Sequence, residues 1–180
     1  METTNCEITL KNVQTMQGRD GIALNCDVWV NGVKAFNYLD EGNGGGGWVN
    51  ALYNDDACKT FEMYVDGLEE RTDSYPNTDG TRTEYNYQPD LDTVVNDALL
   101  KWEEDKWKRK IDRLGKKAFI WGDENSYRHV KLRHGISIAQ AIKSYGLQSV
   151  QRSFDEIKKK YIKGAKVLNK DYLESVGINL

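Results

Sequence analysis

The chain has 180 residues, of which 39% are hydrophobic and 11% aromatic, enough to bury one sizeable core or two small ones without disulfide or metal staples. Its mean hydropathy of -0.71, and the lack of any apolar run near the ~20 residues that cross a bilayer, exclude a transmembrane helix. The start METTNCEITL lacks the pattern of a signal peptide, so we expect a cytoplasmic protein. The three cysteines show no CxxC spacing, so we expect neither a disulfide framework nor a zinc site of the usual kind.

The net charge of -3 conceals a division along the chain. Residues 1–100 contain 6 Lys and Arg against 18 Asp and Glu, whereas residues 101–180 contain 19 against 10. Opposite charge on the two halves predicts either that they attract each other or that the protein presents an acidic face to one partner and a basic face to another.

The first third has the pattern of antiparallel strands. EITLKNV predicts one strand, and the apolar alternation over residues 22–30 predicts a second. Asn31-Gly32 suits a type I′ turn that returns residues 33–39 as a third strand, so we expect a three-stranded meander. After the glycine-rich stretch EGNGGGGWVN, an apolar stripe predicts a helix from about Asp55 to Glu70 with an acidic outer face.

The rest of the chain reads mainly as helix. Residues 71–89 contain both prolines and many turn-forming residues, so we expect an exposed loop or a short irregular hairpin. A long helix follows from near Asp90 to Gly115, and then a second hairpin turns at GDENS. Ser137 caps a short helix, an apolar stripe that includes Tyr161 predicts another helix, and a last short helix ends the chain.

The order of these elements predicts an α+β protein of two lobes. Residues 1–70 form an acidic lobe with the meander and a helix, residues 71–89 the loop or linker, and residues 90–180 a basic, mainly helical lobe containing the second hairpin.

The glycine-rich stretch raises the question of a phosphate site. Such loops need a following helix N-terminus and a nearby Lys or Arg, but acids surround this one and the next lysine is Lys59. A flexible connection with Trp48 buried in the core, or a loop that offers Trp48 to a partner, fits the sequence better. An enzyme acting on a nucleotide bound at this loop remains an alternative.

No catalytic arrangement stands out. His129 and His134 are the only histidines, and strand alternation would direct them to opposite faces, away from a shared metal. The carboxylates have the spacing of a solvated surface, not of a tuned acid and base. We therefore expect no enzymatic activity, no metal and no cofactor.

Basic residues recur in the second half among Trp107, Tyr127 and Tyr161, a mixture that suits nucleic-acid binding. Five acid-before-base i,i+4 pairs, such as Glu104 with Lys108, also fit ordinary solvated helix faces. The candidate nucleic-acid-binding residues are Lys108, Arg109, Lys110, Arg113, Lys116, Lys117, Arg128, Lys131, Arg133, Lys160 and Lys163.

Carboxylates along the first predicted helix could instead mimic nucleic-acid phosphates, although a helix that simply faces water fits the same pattern. With the tryptophan before them, they form the predicted partner-binding set: Trp48, Asp55, Asp56, Glu62, Asp66, Glu69 and Glu70.

VWVNGVKAFNYLDEGNGGGGWVNA, with its NG turn and Gly-Gly loop, resembles an N-terminal module of small bacteriophage and prophage proteins, and AKVLNKDYLESVGI resembles the ends of such proteins. Glu41, Gly42 and Trp48 depart from the module's compact loop. Small acidic phage proteins include inhibitors of bacterial defence, among them anti-CRISPR proteins. The resemblance thus implies a non-enzymatic inhibitor in the host cytoplasm that binds a defence effector such as a CRISPR ribonucleoprotein. A nucleic-acid-binding accessory protein using the basic half is the alternative.

Overall fold

A computed structural model of the protein describes residues 6–180, so the first five residues of the predicted acidic lobe lie outside it. The strands are β1 (Ile8–Gln17), β2 (Ile22–Val30), β3 (Val33–Asp40), β4 (Trp48–Leu52), β5 (Arg71–Pro76), β6 (Arg82–Tyr87), β7 (Ala118–Gly122) and β8 (Tyr127–Lys131). The helices are α1 (Asp55–Asp66), α2 (Leu91–Gly115), α3 (Ile138–Tyr145), α4 (Leu147–Ile157) and α5 (Lys170–Ser175). A 3-10 turn (Arg133–Gly135) precedes α3, and a π-helical turn (Lys158–Ile162) follows α4. The predicted α+β class is confirmed.

The chain forms two compact units, one up to Trp102 and the other from Glu103 to Leu180. This division falls inside α2. Residues 71–89, considered above as a linker between lobes, belong to the first unit and contain the regular, exposed hairpin β5–β6. The first unit carries 7 Lys and Arg against 18 Asp and Glu, and the second 18 against 10, so net charges of -11 and +8 belong to separately packed bodies.

An antiparallel sheet in the order β1-β2-β3-β4 forms the first unit's frame. The predicted meander is present, and Asn31 (φ 49°) and Gly32 (φ 80°) adopt the two positive φ angles that a type I′ turn requires. The fourth strand, β4, was not predicted because its five residues show no clear alternation and follow a glycine-rich loop. It pairs with β3, with Leu52 opposite Phe36.

One face of this sheet carries the core of the first unit. Cys26, Val28, Phe36 and Tyr38 are buried there together with Phe61 of α1. The Asn54 side chain caps α1 by accepting a hydrogen bond from the Ala57 N–H at 2.9 Å. The helix ends at Asp66 and is capped by Gly67, so Glu69 and Glu70 lie beyond it, whereas the sequence predicted a helix to about Glu70.

The other face carries a polar network around Asp27, which is 6% exposed. Its carboxylate accepts hydrogen bonds from Asn12 (2.7 Å) and Asn37 (3.3 Å) and forms a salt bridge with Lys34 (3.1 Å). Burial alone would raise the pKa of Asp27, but these three partners outweigh it and hold the pKa below its ordinary value. The ionised carboxylate therefore stabilises the native sheet.

In the second unit, the hairpin β7–β8 provides two packing surfaces. Phe119 and Trp121 contact one hydrophobic cluster that includes Phe154, whereas Ala118 and Ile120 pack in another with Ile111 of α2. Strand β7 is therefore buried on both faces. The predicted hairpin and the Ser137 cap of α3, with Gln140 completing a capping box, are confirmed.

Candidate functional site

A groove opens where the first sheet extends beyond the helix that covers it. Helix α1 packs against β2 and β3, while β4 lies one strand further out. Pairing opposite Tyr38 and Phe36 places Val49 and Leu52 of β4 on the core face of the sheet. They are nevertheless 38% and 63% exposed. The core face of the edge strand is thus left partly uncovered.

The groove between β4 and α1 has a volume of about 390 Å³. Phe36 and Phe61 meet in its wall in an edge-to-face contact, with their ring centroids 5.0 Å apart. Two carboxylates, Glu62 and Asp66, stand on α1 at its margin. The full lining is Phe36, Val49, Leu52, Cys58, Phe61, Glu62, Val65, Asp66 and Leu91. The site therefore combines an apolar floor with a negative rim.

The rim carboxylates are unfavourable for the helix that carries them. Glu62 and Asp66 are like charges at i,i+4, a spacing that costs an isolated helix about 0.2–0.5 kcal/mol. Both lie toward the C-terminal end of α1, where the helix dipole disfavours negative charge and no basic residue occupies the last turn. None of the six predicted acids forms an ion pair within residues 6–180. A bound cation would relieve both the repulsion between these carboxylates and their unfavourable interaction with the helix dipole.

The groove runs beside a free sheet edge. Strand β4 is the last of the sheet, and no residue in the described part of the chain hydrogen-bonds to its outer edge. Its sequence, WVNAL, contains none of the charges or prolines that usually protect an edge strand from pairing. A further strand can therefore add to β4.

The glycine-rich loop binds an internal carboxylate. The N–H of Gly47 donates to Asp92 at 3.1 Å, and the Tyr38 hydroxyl donates to the same oxygen at 2.7 Å. A Cβ atom on Gly47 would clash with the Tyr38 ring, and one on Gly46 would clash with Asp92. These two glycines are thus needed for close packing, and the phosphate interpretation of the loop gains no support.

Trp48 is 44% exposed and begins β4 opposite Leu39, on the face of the sheet away from Val49. The alternative in which Trp48 is buried in the core is therefore wrong, but the ring does not line the groove either.

Of the acids predicted to bind a partner, the structure brings Glu62 and Asp66 to the groove. The others are exposed at the ends of α1 or beyond it: Asp55, Asp56, Glu69 and Glu70.

Sequence reasoning missed the apolar part of the groove. Because β4 was not predicted, the sequence places Val49 and Leu52 in a connecting loop. It also indicates Phe61 only as an ordinary core residue of α1. The one available signal was the run of apolar residues in WVNALY directly after the glycines.

All eleven basic candidates in the second unit are exposed, but they do not share one face. Strand alternation separates Arg128 from Lys131 on β8. Lys110 lies beside aromatic rings, with its Nζ 4.9 Å from the centroid of Tyr127. Of the five predicted i,i+4 pairs, all within the described residues, only Glu104–Lys108 is formed, at 2.7 Å. Local pairing therefore neutralises little of this charge.

Comparison of the chain with protein-family models, with curated proteins and with solved structures finds no match. Within residues 6–180, no group of three or more His, Cys, Asp or Glu residues could hold a metal ion. No helix in that range is both long enough and apolar enough to cross a membrane.

Proposed function

We propose that this protein is a non-enzymatic binding protein whose groove receives a basic, partly apolar segment of a nucleic-acid-processing protein. The observation that carries the proposal is the partly uncovered core face of β4 beside Glu62 and Asp66, two carboxylates without an ion-pair partner among residues 6–180. Apolar side chains of a partner would cover Val49 and Leu52, while its Lys or Arg side chains would reach the acidic rim.

The free edge of β4 favours an extended segment as the occupant. A strand added there would gain main-chain hydrogen bonds, and every second side chain would project over the groove. A partner sequence that alternates basic with apolar residues on that face fits both features. A helix would leave the backbone of β4 unpaired.

The charge of the first unit suggests the class of partner. Surfaces that bind nucleic acid carry exposed Lys and Arg, and a body with a net charge of -11 is attracted to them and competes with their natural ligand. Together with the resemblance to phage proteins, this supports an inhibitor of a bacterial defence complex that acts in the host cytoplasm, with a CRISPR effector as the most concrete candidate.

The test is a binding panel of purified defence effectors, assayed with the full chain and two matched variants. Leu52→Asp places a charge on the groove floor, whereas Met63→Asp makes the same kind of change at an equally open position of α1 outside the lining. We expect an effector that binds the wild type and Met63→Asp but loses affinity for Leu52→Asp at least tenfold.

Thermal melting of both variants establishes that they remain folded. Charge reversal at the rim, Asp66→Lys, should also weaken binding, and the loss should shrink as salt is added because screening weakens the attraction. A panel in which no effector binds, or in which Leu52→Asp binds as tightly as the wild type, would refute the proposal.

A further inference from the structure

The second unit contains a partly exposed aromatic ring that stacks on a buried one. Tyr161 stacks on Trp121 with ring centroids 6.3 Å apart and an interplanar angle of 22°. Trp121 is only 5% exposed, whereas Tyr161 is 47% exposed. The phenol ring is therefore held against the body of the unit while much of its surface faces solvent.

The π-helical turn explains why Tyr161 faces outward. Helical spacing from Val150, Phe154 and Ile157 predicts Tyr161 on the buried stripe, and that prediction is wrong. The wider π turn inserts one residue, so that Ile162, which is 4% exposed, takes the core position instead. Irregular turns of this kind are frequent at functional sites.

Basic residues adjoin this ring in the chain and in the neighbouring hairpin. The π-helical turn carries three consecutive lysines, and the Nζ of Lys160 lies 5.1 Å from the centroid of Tyr161. Lys163 follows the turn, and Arg128 stands directly opposite Trp121 in the β7–β8 pairing, on the same face of the hairpin. Basic residues from two separate segments of the chain are thus linked to the Tyr161–Trp121 pair, the lysines by their place in the turn and Arg128 through its pairing with Trp121.

Nearby acids leave this charge largely uncompensated. Asp155 accepts a hydrogen bond from Gln151 at 2.9 Å, and neither it nor Glu156 forms an ion pair with a lysine of the described chain. The unit as a whole has a net charge of +8, from 18 basic and 10 acidic residues. The local and overall fields therefore have the same sign.

We propose that the surface formed by Tyr161, Lys160, Lys163 and Arg128 binds single-stranded nucleic acid. A base would stack on the exposed part of the Tyr161 ring, and the Lys160 side chain, which lies over this ring, would move to a flanking phosphate. Lys163 and Arg128 would contact further phosphates. A duplex keeps its base faces paired and stacked internally, so it cannot use the ring. This activity belongs to the second unit and does not depend on the groove proposed above.

The test measures fluorescence anisotropy of a labelled oligothymidine of about 15 nucleotides, close to the upper site size of small single-strand-binding folds, with the full-length protein. A matching oligouridine and a duplex of equal length form the other arms. Tyr161→Ala should weaken binding about tenfold, Tyr161→Trp should retain it, and affinity should fall steeply with salt. Tyr145→Ala, at another exposed tyrosine of the same unit, is the matched control.

A second variant guards against loss of folding in Tyr161→Ala. Lys160→Glu combined with Lys163→Glu alters only exposed side chains and should abolish binding while the thermal melt is retained. Three results would overturn the proposal: no binding of either oligonucleotide at low salt, equal affinity for the duplex, or equal losses in Tyr145→Ala and Tyr161→Ala.

Discussion

Replacing Tyr38 by phenylalanine removes a single oxygen atom from a ring that is 1% exposed in the core of the first unit. That hydroxyl donates to the Asp92 carboxylate at 2.7 Å, and the only other donor to this oxygen in the described chain is the Gly47 N–H at 3.1 Å. Hydrogen bonds to charged groups contribute about 1.5–3 kcal/mol, because losing the donor leaves a partly buried charge poorly solvated. We expect Tyr38→Phe to destabilise the first unit by about 2 kcal/mol.

The assay is thermal unfolding at neutral pH, where a loss of about 2 kcal/mol lowers the melting temperature of a unit of this size by roughly 10 °C. Tyr75→Phe is the matched control, because Tyr75 lies on the exposed hairpin and its hydroxyl has no hydrogen-bond partner within residues 6–180. Tyr38 should also stay protonated into strongly alkaline solution, since burial and the adjacent Asp92 both raise its pKa. Equal melting temperatures for Tyr38→Phe and Tyr75→Phe would refute the reasoning.

Two further predictions concern stability. Gly47→Ala should destabilise the first unit by about 1–3 kcal/mol because its methyl group would overlap the Tyr38 ring. Gly45→Ala, where nothing lies within 4 Å, should be neutral or slightly stabilising; similar denaturation midpoints for both would contradict this account. Because its folded-state pKa is depressed, Asp27 stabilises the sheet above its unfolded pKa of about 3.9 and loses this contribution as pH falls through the folded value. Asp27→Asn should therefore flatten the acid limb of a stability-against-pH curve, and an unchanged limb would exclude Asp27 as its source.

Sequence patterns predicted correctly those features that depend on interactions between residues close together in the chain. The two positive φ angles at Asn31 and Gly32, the Ser137 helix cap and the alternation along β2 all depend on residues a few positions apart, and each could be predicted. The prediction of buried and exposed positions failed where the helical period of the last apolar stripe is interrupted. The shift that turns Tyr161 outward and Ile162 inward arises from a π turn, and the sequence-based interpretation assumed an uninterrupted α-helix.

The candidate groove was half predictable. Its acids, Glu62 and Asp66, were found because charges on a predicted helix can be counted along the chain. Its floor was not, because Val49 and Leu52 become a surface only when β4 extends the sheet past the cover of α1. The basic residues of the surface proposed around Tyr161 were likewise predicted as separate runs, because the pairing of Arg128 with Trp121 and the stacking of Trp121 on Tyr161 join distant segments.

The sequence by itself determined the α+β class, the order of most elements, and the opposite charges of the two halves, because composition and short-range periodicity encode them. Only the tertiary structure decided which side chains remain uncovered. Exposure of Leu52 depends on how far one element extends past another, and the open ring of Tyr161 depends on Trp121, forty residues earlier in the chain. Contacts between residues distant in sequence determine both the groove at Leu52 and the exposed ring of Tyr161. Local sequence patterns do not encode such contacts.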